Sequence, residues 1–83
     1  MGRKVLVVDD DPNALRLVSY ALMAEGFEVS TASTGVEALA KLTAARPDLV
    51  VLDVMMPDMS GLQVCQRIRA NPATARLPIL MLS

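Results

Sequence analysis

Two short, unbroken apolar runs each end on aspartate, and this pattern constrains the fold more than any other feature. Val5-Leu6-Val7-Val8 leads into Asp9-Asp10-Asp11, and Leu49-Val50-Val51-Leu52 leads into Asp53. A strand that is apolar at every position, rather than at every second one, is buried on both faces. The segments between such runs carry helical spacing. Strands that alternate with single helices predict right-handed crossovers and one parallel sheet, hence an α/β fold. In sheets of this kind, functional groups collect beyond the carboxyl ends of the strands, where strand order reverses.

The rest of the chain fits that frame. Asp11-Pro12 reads as a helix N-cap followed by proline in the first turn. The helix it opens carries Leu15, Val18 and Leu22 on one face and stops at Gly26. Phe27 to Thr31 alternates and predicts a half-exposed strand near a sheet edge. Thr34-Gly35-Val36-Glu37 has capping-box spacing, and the helix after it is expected to turn Val36, Leu39 and Leu42 inward. Glu37 and Lys41 are spaced for an i,i+4 ion pair, and Arg46-Pro47 ends the helix. After the third strand, Ser60-Gly61-Leu62-Gln63 forms a second capping box, and Leu62, Cys65 and Ile68, with Val64 beside them, are expected to be buried. Asn71-Pro72 breaks that helix, and Leu77 to Leu82 supplies a fourth strand before Ser83.

Composition removes several function classes. Of 83 residues, 53% are apolar, yet there is one Phe, one Tyr and no Trp, so the core must be aliphatic. A chain this short buries only about 60–65% of its unfolded surface, which makes stability a concern. No apolar run is long enough for a membrane span, and no membrane partner is expected. Eight basic and nine acidic residues, with no basic block, argue against nucleic-acid binding by this chain. The single Cys65 leaves no internal disulfide and predicts a reducing, cytoplasmic setting; it reads as a small core hydrophobe. There is no histidine, which excludes imidazole chemistry.

The strand-end acids carry the chemistry. The first strand delivers Asp9, Asp10 and Asp11 and the third Asp53, so if these strands are neighbours three or more carboxylates converge on one crevice. Like charges at short range raise one another's pKa and call for a neutralising cation. A hard, oxygen-bound ion fits, and Mg²⁺ fits best. Asp53 stands alone on its strand and is the better nucleophile towards phosphorus, with Asp9 and Asp10 as the metal clamp. Asp11 reads as the helix cap rather than a ligand. Asp58, in the turn-forming stretch Pro57-Asp58-Met59-Ser60-Gly61, is expected to be solvated.

Val5 to Asp11, together with Asp48-Leu49-Val50-Val51-Leu52-Asp53-Val54-Met55-Met56-Pro57-Asp58-Met59-Ser60-Gly61, resembles a response-regulator receiver domain of two-component signalling. The resemblance runs from Lys4 to Ser83. It implies a flavodoxin-like parallel sheet of order 2-1-3-4 with three helices, truncated after the fourth strand. It makes Asp53 the phosphoacceptor, phosphorylated by a histidine kinase or phosphotransfer protein. Asp10, Asp53 and the Met55 backbone carbonyl would hold Mg²⁺ directly, and Asp9 would act through metal-bound water. Ser83 falls where the family has its switch hydroxyl. Such a domain assists its own phosphorylation and dephosphorylation but is not a turnover enzyme.

The family's next helix, its fifth strand with a characteristic lysine, and its last helix find no match in this sequence. Two expectations follow. The uncovered sheet face or the fourth-strand edge should drive homo-oligomerisation. The competing reading is an interaction or oligomerisation module with impaired or no phosphoryl signalling. An aspartate-based phosphatase is weaker, because Met55 stands where its general acid belongs. A dinucleotide-binding fold is weaker still, since no G-x-G-x-x-G follows the first strand.

Overall fold

Four parallel strands form one sheet: β1 (Lys4–Val8), β2 (Glu28–Ala32), β3 (Leu49–Asp53) and β4 (Ile79–Leu82), in the order β2-β1-β3-β4. They are joined by α1 (Pro12–Ala24), α2 (Gly35–Ala45) and α3 (Gly61–Ala70). This is a computed structural model, and it describes residues 2–82. The strand order and helix number match the expected receiver-type architecture.

The central strands are apolar throughout because each face carries its own core. Val5, Val7 and Val51 pack beneath α1 with Leu15, Val18, Leu22 and Phe27. Leu6, Val8, Val50 and Leu52 point the other way, onto Ala38 and Leu42 of α2 and Val64 and Ile68 of α3. β2 is an edge strand with half-exposed positions, as its alternation predicted. β4 forms the other edge. Leu80 pairs with Val51 and therefore lies on the α1 face, where it is 53% exposed.

Two inward faces differ from the expected ones by one residue. Leu42 is buried and Leu39 packs against the core as expected, but Val36 is 64% exposed, and Gly35 and Ala38 face the core in its place. Leu62 is 60% exposed, and Gly61, Val64 and Ile68 take the buried stripe, with Cys65 half-buried at its margin. The reason is the same in both helices. The first helical residue lies against neighbouring chain so closely that only glycine fits. A Cβ on Gly35 would lie 2.8 Å from Met59 Cβ, and one on Gly61 would lie 2.8 Å from Val54 Cα. Placing the glycine inward turns its apolar neighbour outward by about 100°.

The caps follow the sequence closely. Asp11 accepts the Asn13 N–H at 2.9 Å, with Pro12 opening α1. Ser60 and Gln63 complete a reciprocal box at α3. At α2 the box is half-made. Thr34 accepts the Glu37 N–H at 3.0 Å, but Glu37 reaches past Thr34 to the N–H of Ser33 at 2.8 Å. Lys41 pairs with Glu37 at 3.4 Å, and its ammonium also donates to the Thr31 carbonyl.

Candidate functional site

The register brings the acids together. β1 pairs with β2 on one side and β3 on the other, so strand order reverses between β1 and β3. Val8 pairs with Leu52, which leaves Asp9 and Asp53 one step further along adjacent strands. One side-chain oxygen from each of Asp9, Asp10 and Asp53 lies within 4.8 Å of the other two. Asp9 and Asp53 are half-buried and Asp10 is exposed. Asp11 stays at its cap, outside the cluster.

The electrostatics are those of crowded like charges. Burial pushes the Asp9 carboxyl above the ordinary carboxylate range, and the charges of Asp53, Asp10 and Asp11 push it the same way. The Asp11 N–H, donated to Asp9 Oδ1 at 2.9 Å, opposes this without cancelling it. Among the described residues, the charges acting on Asp9 are those of acids. Of the two lysines, Lys4 sits at the opposite end of β1, and Lys41 is engaged by Glu37 and Thr31. The donor set is hard oxygen throughout, which fits a small divalent cation and gives a soft one no ligand.

The loop after Asp53 is tied at both ends. Val54 accepts the Gly61 N–H at 2.8 Å, and the Met55 N–H is 3.4 Å from Asp53 Oδ1. The Met55 side chain is exposed. Asp58 was expected to be solvated. It is exposed, but both of its oxygens are engaged: Oδ1 accepts from Gly35 N–H at 3.0 Å and Oδ2 from Val36 N–H at 3.2 Å. Those N–H groups, first Gly35 and then Val36, hold its carboxyl below the usual range. No local pattern marks this contact, which spans 22 and 23 residues. Ser83, the expected switch hydroxyl, lies outside the described residues.

Comparison with known proteins agrees with this geometry. The family model for the response regulator receiver domain matches residues 5–83. The alkaline phosphatase synthesis transcriptional regulatory protein PhoP of Bacillus subtilis (strain 168) is 46% identical over 83 residues, covering 100% of this chain and 34% of that protein. The chain thus spans about a third of that relative's length. The chemotaxis protein CheY4 of Vibrio cholerae superposes with a TM-score of 0.93 at 42% identity, covering 98% of this chain and 68% of that one. The receiver domain of sensor histidine kinase PA1611 from Pseudomonas aeruginosa PAO1, solved with a magnesium ion in its active site cleft, has a TM-score of 0.94 at 26% identity. It covers 100% of this chain and 68% of that one. With the acid cluster at the predicted strand ends and the family match running nearly the whole length, the chain belongs to the response regulator receiver domain family.

Proposed function

We propose that Asp53 accepts a phosphoryl group from a histidine kinase or phosphotransfer protein, in the cytoplasm, with Mg²⁺ as cofactor. The observation that carries this reading is the convergence of Asp9, Asp10 and Asp53 oxygens within 4.8 Å at the ends of neighbouring strands. Asp10, Asp53 and the Met55 carbonyl would hold the ion directly, and Asp9 through water. When bound, it supplies positive charge to the phosphoryl oxygens. The magnesium ion coordinated in the active site cleft of the PA1611 receiver supports Mg²⁺ as the ion.

Asp53 then acts as the nucleophile. One carboxylate oxygen bonds to phosphorus while the P–N bond to the donor imidazole breaks, and the imidazole nitrogen keeps the electron pair. Water later cleaves the acyl phosphate and restores the carboxylate. Ser83, by its place in sequence, is the proposed switch hydroxyl. The test is a Mg²⁺ titration of wild type and Asp10→Asn, followed by beryllofluoride. Mg²⁺-dependent binding of the mimic by wild type, weakened in the variant, supports the reading. Equal binding by both proteins overturns the donor set.

A second reading concerns self-association. Leu80 and Leu82 of β4 are exposed, as are Leu17, Tyr20 and Met23 of α1. These apolar groups support homo-oligomerisation of the 83-residue chain, with or without phosphoryl signalling.

A further inference from the structure

The first turn of α2 is completed by a residue from elsewhere in the chain. A helix begins with four N–H groups that lack a partner within the helix or need a cap. Here Thr34 Oγ1 accepts the Glu37 N–H, and the Thr34 carbonyl accepts the first intrahelical bond from Ala38 N–H, both at 3.0 Å. Gly35 and Val36 donate instead to the two oxygens of Asp58, in the loop between β3 and α3. A carboxylate in that position also meets the positive end of the helix. Beside it, Met59 packs so closely on Gly35 that a Cβ there would lie 2.8 Å from Met59 Cβ and 3.0 Å from Val64 Cγ2. The same loop is closed at its base by the Gly61 N–H on the Val54 carbonyl. Between these two anchors lie only Met55, Met56 and Pro57.

We propose that Asp58 is a positioning residue: it latches the loop after the phosphoacceptor onto α2 and so fixes the Met55 main chain for metal binding. This rests on the metal reading given above. Asp58 touches neither the metal ligands' oxygens nor the reacting atoms in this scheme, and it acts through the short segment it holds. Movement of α2 would be transmitted to that segment through the same two hydrogen bonds.

Two measurements on wild type, Asp58→Ala and Asp58→Asn test this. Calorimetric Mg²⁺ titration reads the site, and hydrogen exchange by mass spectrometry reads residues 54–60 and 34–38 separately. Asp58→Ala should bind Mg²⁺ about 10-fold more weakly, the size of effect seen when residues supporting metal ligands are removed. Both segments should exchange faster. Asp58→Asn keeps the side-chain size and one acceptor oxygen, so it should fall between the two and guards against a folding defect. Faster exchange at 34–38 with unchanged exchange at 54–60 and unchanged Mg²⁺ affinity would make Asp58 only a helix cap and overturn the latch. A wild-type chain that binds no Mg²⁺ overturns the metal reading instead, and exchange at 54–60 still decides whether the loop is held.

Discussion

Gly61 stands directly against the main chain of Asp53, the proposed phosphoacceptor. A Cβ at that position would overlap the Asp53 carbonyl oxygen and lie 3.0 Å from the Asp53 carbonyl carbon. These are main-chain atoms, so no rotamer change relieves the clash. Gly61→Ala should therefore push the end of β3 away from α3, at about 1–3 kcal/mol in stability, the usual range for overpacking. Phosphorylation should slow as well, because Asp53 moves with its backbone. Thermal unfolding and phosphorylation rate, measured on the same sample, check both parts.

Ser19 is the one buried polar side chain in the described core, and its hydroxyl has no partner there. It faces the sheet from α1, where a buried, unpaired hydroxyl is costly. Ser19→Ala should stabilise the domain by about 1 kcal/mol, or about 4–8 °C in Tm for a domain of this size. A lower Tm would show that the hydroxyl has a partner after all.

Acid stability has a worked sign. Backbone N–H groups depress two carboxyls: Gly35 and then Val36 act on Asp58, and Ser33 acts on Glu37 with help from the Ser33 hydroxyl and Lys41. A carboxyl lowered in the folded state stabilises above its unfolded value of about 4, and that stability is lost as pH falls through the folded value. Asp9 is raised and contributes with the opposite sign. Unfolding curves measured from neutral to acid pH should therefore show Asp58→Asn less stable than wild type at neutral pH. The difference should shrink as pH falls and Asp58 is protonated.

Self-association should depend on β4. Leu80 is exposed at the β4 edge of the α1 face, beyond Val5, Val7 and Val51, which α1 covers. At micromolar concentration, light scattering should report a species larger than a monomer, and Leu80→Glu should reduce it. A clean wild-type monomer would remove the association reading.

Much of this was legible in the sequence, for physical reasons that can be named. Val5 to Val8 and Leu49 to Leu52 are apolar at every step because each strand feeds two cores, and that alone places them centrally. Their terminal acids then had to meet once the strands were neighbours. Spacing oriented most of α2 and α3 but misplaced their first turns, because the inward position there was claimed by a glycine that fits a close approach of distant chain. Val36 and Leu62 look like core residues until that contact is known. The engagement of Asp58 was hidden for a related reason: a loop carboxylate and the helix it caps are far apart in sequence, and only the assembled sheet brings them together.

The central claim is that Asp53, in its acid cluster, accepts phosphoryl groups. Its most direct test is intact-mass analysis after treatment with acetyl phosphate, with and without Mg²⁺, on wild type and Asp53→Asn. The account predicts one added phosphoryl group on wild type, dependent on Mg²⁺ and absent from the variant. No adduct on wild type, or an adduct of equal yield on Asp53→Asn, would contradict it.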